Sequence, residues 1–284
     1  MLCAIHLHST VISYAFEYDA RMSDMRVIAI ALQKGGTGKT TTTINLAAAL
    51  GAQDLRVLVI DLDQQADSTD GLGVTVGADD ATMWEVLHLD RAERVPLAQI
   101  IKPTPVPGVD VAPGHLALRE MERTGMGSGG QLRLARQLDE LTGYDFVLID
   151  CPPSLGEITT AALAAADDVL TPIGPGPDEI KGLTKLGETI LDVQDELNPD
   201  VEIRYLIIAG YDGRTQVSRD IRTALRRDWG SWDDGGAYLG EIRHLHCVPE
   251  AKKARTPIAD WAPSSTAAED YLTIATRIAE RVRG

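Results

Sequence analysis

The apolar positions of this chain fall in short unbroken runs. Residues 26–32 (RVIAIAL), 56–61 (RVLVID), 146–150 (FVLID), 168–173 (DVLTPI) and 203–209 (IRYLIIA) each hold a block of consecutive hydrophobic side chains instead of an apolar/polar alternation. Runs of that length and continuity suit strands buried on both faces. Between them lie helical patterns: from residue 39 to about 50, then 130–141, 157–166, 178–197, 215–229 and 265–283. Strand and helix in alternation predict an α/β fold, a mostly parallel twisted sheet with helices on both faces. Residues 66–130 are less regular and rich in glycine and proline; a short helix at 82–88, a strand at 109–112 and a helix at 116–123 are expected there. Neither an internal repeat nor a dividing linker is evident, so residues 25–284 are expected to form a single domain.

Composition narrows the picture. With 284 residues, 44% of them apolar, there is ample material for a core. No run of about 18 apolar residues suggests a transmembrane helix. The net charge of −15 favours solubility and argues against diffuse binding of nucleic acid over the whole surface, while leaving room for a local basic patch. Three cysteines, Cys3, Cys151 and Cys247, are widely separated and odd in number, which fits reduced thiols in a cytoplasmic protein. Residues 1–24 differ from the rest: His6 and His8 interrupt the apolar stretch, and no basic region precedes it. A disordered tail or an upstream start, with Met22 or Met25 as the true one, is expected instead of a signal peptide.

Chemistry concentrates where the first run ends, at KGGTGKTT, residues 34–41. Glycines at 35, 36 and 38 let successive backbone N–H groups face one concavity, where side chains would obstruct phosphate oxygens, and the helix that follows adds its positive end. Gly35, Gly36, Thr37, Gly38, Lys39, Thr40 and Thr41 are therefore candidate nucleotide ligands. Lys39 is placed to reach the β- and γ-phosphates and the Thr40 hydroxyl to ligate Mg²⁺, with ATP as the nucleotide. Counted from Gly35 the loop is shorter than G-x-x-x-x-G-K-[ST], so Lys34 takes an early loop position. Two further strands end in aspartate, at Asp61 and Asp150. Asp63 lies two positions after Asp61, and an extended backbone would send both side chains toward the phosphates. Cys151 is read as a buried filler, since no histidine belongs to its motif.

The loop resembles the deviant Walker A motif, K-G-G-x-G-K-[ST], of the ParA/MinD/Soj group of ATPases. VLVIDLDQQADSTDGLG, YDFVLIDCPPSLG and LTPIGPGPDEIKGLTKL match further family segments in the same order, so the resemblance runs from about residue 25 to the C-terminus. It implies that Lys34 crosses a dimer interface to the partner's ATP, making ATP the glue of a sandwich homodimer. It implies that Asp63 orients the attacking water, that Asp61 helps hold the Mg²⁺ shell, and that Asp150 is the Walker B-like carboxylate acting through water. Slow hydrolysis stimulated by a ParB-like adaptor follows, in the service of plasmid or chromosome partition or of cargo positioning. Gln64 departs from the family, where proline is common.

Two basic stretches are candidates for nonspecific double-stranded DNA. DGRTQVSRDIRTALRRDWG carries Arg214, Arg219, Arg222, Arg226 and Arg227, with Arg219, Arg222 and Arg226 on one helical face; EIRHLHCVPEAKKARTP adds Arg243, Lys252, Lys253 and Arg255. The resemblance makes these a shared DNA surface, contacting phosphates and giving a nucleoid-associated cytoplasmic protein. A family arginine falls at Cys247 here, with Lys252 and Lys253 as its candidate replacements. Three other readings share the loop: a MinD-like membrane-surface ATPase, an iron–sulfur reductase, and a small-molecule ligase. The first lacks a basic amphipathic tail, so no membrane contact is expected. The second lacks a suitable cysteine setting.

Overall fold

The computed structural model describes residues 25–176, 178–244 and 246–283. The expected tail or upstream start at 1–24, with Cys3, lies outside the described residues.

Eight strands form one sheet: β1 Arg26–Ile30, β2 Val57–Asp61, β3 Lys102–Pro103, β4 Val109–Ala112, β5 Phe146–Asp150, β6 Asp168–Ile173, β7 Glu202–Tyr211 and β8 Tyr238–Arg243. Their order is β3-β4-β2-β5-β1-β6-β7-β8. Every pairing is parallel except that of β3 with β4. Pro103 sits in the two-residue edge strand, where its missing N–H interrupts no inner ladder.

Burial on both faces explains the unbroken apolar runs. In β1, Val27 and Ala29 join one hydrophobic cluster, with Ile158, Leu186 and Ile190 from the helices Glu157–Ala165 and Asp178–Glu196. Ile28 and Ile30 join another, with Leu46 and Leu50 of the helix Lys39–Gly51 and Tyr271, Ile274 and Ile278 of the helix Thr266–Arg283. The same division separates Val147 and Ile149 from Phe146 and Leu148 in β5. At the opposite end of β1 from the glycine loop, Arg26 donates to both carboxylate oxygens of buried Asp168, at 2.6 Å each.

Several boundaries differ from expectation. The first strand stops at Ile30, because Ala31 and Leu32 already turn toward the loop, with Lys34 N–H donating to the Leu32 carbonyl at 2.9 Å. The helix expected at 130–141 is only Arg133–Asp139. The edge strand β8 and the short helices Asp67–Gly71, Leu97–Ile100, Cys247–Lys253 and Ile258–Trp261 were not expected. The strand at Val109–Ala112 and the helix Gln216–Trp229 lie where the pattern placed them; the Thr215 hydroxyl caps the latter by accepting from Ser218 N–H at 3.3 Å.

Candidate nucleotide site

Parallel pairing brings the carboxyl ends of β1, β2 and β5 together, and the candidate chemistry gathers there. Between β1 and the helix Lys39–Gly51, Gly36 takes φ 76° and Gly38 φ 91°, left-handed values that favour glycine. A Cβ on Gly38 would also stand 3.1 Å from that of Ala209. No side chain caps the helix, so its first N–H groups face the loop's concavity. The buried Thr37 hydroxyl has no hydrogen-bond partner. Lys39 is itself buried, and its ammonium donates to the Lys34 carbonyl at 2.9 Å. Burial lowers its pKa, while Asp150 pulls the other way. An uncapped helix start and an unpartnered Thr37 hydroxyl beside a buried ammonium fit a polyphosphate.

Asp61 and Asp150 occupy the same register in β2 and β5, and both are fully buried. Asp150 accepts from Ser68 Oγ at 2.5 Å and from Thr43 Oγ1 at 3.3 Å. Asp61 accepts from Thr69 through N–H at 2.8 Å and Oγ1 at 2.7 Å, and from Asp63 N–H at 3.2 Å. Burial raises the pKa of both carboxyls; repulsion from neighbouring carboxylates adds to it, and the hydrogen bonds offset part. Two buried carboxyls held reluctant to ionise, beside Thr40, suit a divalent cation that would relieve the strain of charging them.

Asp63 is reached by a turn instead of the extended path expected. β2 ends at Asp61, and the chain turns sharply: Asp63 Oδ1 accepts from Gln65 N–H at 3.0 Å, and Ala66 takes φ 52°. Asp61 is therefore the internal hub of this turn, whereas Asp63 is half-buried and near enough to Lys39 to raise its pKa. Buried Cys151 fills space, its thiol pushed up by burial and then by Asp150. Lys34 is partly exposed and pairs with Glu179 at 2.6 Å. A cavity of about 440 Å³ adjoins the loop, lined by Gly36, Thr41, Gly210, His244, Pro249 and Tyr271 among others.

The basic candidates do not form one free face. Arg214 pairs with Asp212 at 2.9 Å, and Arg219 donates back to the Gly213 carbonyl at 2.7 Å. Arg222 bonds Glu241 at 3.3 Å and lies over Tyr211, while Arg226 lies over Tyr238. Lys252 pairs with Asp67 at 2.8 Å and Arg255 with Asp70 at 2.8 Å, tying the C-terminal stretch to the segment after Asp63; Lys253 is exposed.

Comparison with known proteins decides what this site belongs to. The profile described as "AAA domain" matches residues 25–203. The chromosome partitioning protein ParA of Caulobacter vibrioides is 35% identical over 91% of this chain and 96% of its own length. This chain belongs to the ParA/Soj family of ATPases. The sporulation initiation inhibitor protein Soj of Bacillus subtilis is 35% identical over 89% of this chain and 98% of its own. Among solved structures, cobyrinic acid a,c-diamide synthase from Mycobacterium smegmatis, bound to an ATP analogue and magnesium, is 31% identical with a TM-score of 0.76, over 92% of this chain and 96% of that one. This chain's eight-stranded α/β sheet and the family's ATPase character thus agree with the sequence motifs. Sequence reasoning missed Ser68, Thr69 and Glu179. All three lie inside quoted family segments; adjacent hydroxyls after a strand-end aspartate were a usable signal for Ser68 and Thr69, whereas nothing in LTPIGPGPDEIKGLTKL linked Glu179 to Lys34.

Proposed function

We propose that this protein is a ParA-type switch: a single P-loop unit over residues 25–284 that binds ATP with Mg²⁺, dimerises around it, holds nonspecific double-stranded DNA as the dimer, and releases it on hydrolysis. Gly35 to Thr41 cradle the phosphates, with Lys39 on the β- and γ-phosphates. Thr40 holds the metal directly, and Asp61 and Asp150 hold it through water. The metal, when bound, neutralises charge developing on the transferred phosphoryl group. Asp63 orients the attacking water; its backbone N–H bonds Asp61, while its half-buried carboxylate stands apart from the Asp61 carboxylate's hydrogen bonds and is available for that task. Lys34 serves the partner's ATP. A ParB-like adaptor stimulates turnover, and the dimer works on the nucleoid in the cytoplasm to position a plasmid, chromosome or other cargo. Arg214, Arg219, Arg222, Arg226, Lys252 and Lys253 are the proposed DNA contacts. Among the described residues no helix is long and apolar enough to cross a membrane, and membrane contact has no part in this reading.

One observation carries it. The loop holds two lysines in opposite settings: Lys39 is buried over the loop's own carbonyl, and Lys34 has a side chain 41% exposed. The first suits a phosphate bound within the subunit, the second a phosphate delivered from outside. The test is binding to random duplex DNA with ATP, ADP and no nucleotide. ATP-dependent binding that weakens steeply with salt is expected; equal binding in all three states refutes the reading. The likeness to a diamide synthase favours a second reading, a small-molecule ligase. ATP consumption coupled to an acid substrate, without DNA binding, would select it.

A further inference from the structure

We infer that Glu179 is a positioning residue that holds Lys34 within its own subunit and sets how readily ATP draws two subunits together. This rests on the proposed role of Lys34 at the dimer interface.

The argument begins with the carboxylate. Glu179 belongs to the first turn of the helix Asp178–Glu196, yet its side chain is only 6% exposed. It faces the cavity beside the glycine loop. Its Oε1 accepts from the Lys34 ammonium at 2.6 Å, while its Oε2 is buried with no hydrogen-bond partner. The backbone around it is cut to fit: a Cβ on Gly174 would stand 3.1 Å from Oε1, and one on Gly176 would stand 3.7 Å from it and 3.9 Å from Lys34 Nζ. Two glycines thus leave room for the carboxylate and the ammonium to meet.

A buried carboxylate with half its acceptor capacity unused leans heavily on the ammonium that bonds it. If Lys34 swings out to a triphosphate on another subunit, Glu179 is left charged, buried and unpaired at that oxygen, which is costly. The contact within the subunit therefore competes with the contact between subunits. The equilibrium constant for ATP-bound dimers includes the cost of opening the pair, as it does for any ligand that binds a minor conformer. Because the Lys34 side chain is 41% exposed, solvent screens part of the pair and the competition is of moderate size.

Removing the charge should favour the dimer, the reverse of what damage to a purely structural residue would do. The experiment measures dimerisation by sedimentation with ATPγS and Mg²⁺ for the parent, Glu179→Gln, Glu179→Asp, Lys34→Ala and the double variant Lys34→Ala/Glu179→Gln. Glu179→Gln is expected to dimerise at about tenfold lower protein concentration than the parent. Glu179→Asp, too short to keep the 2.6 Å contact, should shift the same way. In the Lys34→Ala background the Gln substitution should produce no gain, since the gain acts only through that lysine. Unchanged or weaker dimers in both Glu179 variants overturn the inference. So does loss of folding in both, which would make Glu179 an architectural residue. If Lys34→Ala dimerises like the parent, the proposed role of Lys34 falls first. If Lys34 is needed and Glu179→Gln gains nothing, only the present inference falls.

Discussion

Asp150→Asn separates the cost of the metal site from its use. In the nucleotide-free protein, burial and neighbouring negative charge push the Asp150 carboxyl up to about 6 from an ordinary 3.8. A folded-state pKa above the unfolded one means that folding favours the protonated group. Stability from this source is complete below the unfolded value and drains away as pH rises through the folded one. At pH 8 the ionised carboxylate therefore burdens the fold, by at most about 3 kcal/mol at 1.36 kcal/mol per pKa unit. Asparagine keeps the shape and one oxygen, which can accept from Ser68, but its amide nitrogen replaces the oxygen that Thr43 meets and the remaining hydrogen bond loses its charge assistance, together about 1 kcal/mol. The net expectation is a gain of about 2 kcal/mol at pH 8, or a Tm higher by about 4–8 °C for a chain of this size. At pH 5 the parent is already largely protonated and most of the gain disappears. Saturating Mg²⁺ and ATP reverse the ranking: at a hundredfold excess over Kd the parent gains about 2.7 kcal/mol and the variant far less. Thermal unfolding at pH 5 and pH 8, with and without Mg·ATP, reads all four cases. A variant less stable than the parent at pH 8 without nucleotide, or a gain undiminished at pH 5, refutes the reasoning.

Two further substitutions test the loop and the basic surface. Gly38→Ala places a side chain at φ 91° and 3.1 Å from Ala209; we expect a loss of about 1–2 kcal/mol in urea unfolding and of nucleotide binding in fluorescence titration, whereas parent-like binding would show that the loop relaxes freely. Arg226, which has no ion pair or hydrogen bond among the described residues, is the helix arginine best able to meet a phosphate. Arg226→Ala should flatten the log–log salt dependence of DNA binding by about one unit, and an unchanged slope would remove it from the interface.

What could be read from the sequence depended on how far each feature's causes lay along the chain. FVLID was recognisable as β5 because both its faces are buried, so every position must be apolar or, at its end, chemical. β8 was hidden because Gly240, Glu241 and Arg243 break its hydrophobic pattern; as an edge strand it answers to one neighbour only. The phosphate loop was legible because its glycine spacing is the geometry itself. The turn at Asp63 was misjudged because the extended path ends two residues earlier, where Asp61 bonds to Thr69. Lys34 and Glu179 stand 145 positions apart and meet only through the order of the strands. The arginines looked like one stripe on a helical wheel, but Glu241, Tyr211 and Tyr238, which engage two of them, come from the neighbouring strands.

The position of β1 has a consequence for the chain as it is made. Among the described residues the strand nearest the N-terminus is also an inner one: Arg26 waits for Phe146 on one side, and Ile28 for Asp168 on the other. Until β5 and β6 have emerged, more than a hundred residues later, an apolar strand and its phosphate loop lack their sheet neighbours, a circumstance that favours sticking to other chains. A truncated product ending before β5 would carry the complete glycine signature and still be unable to build the pocket around it.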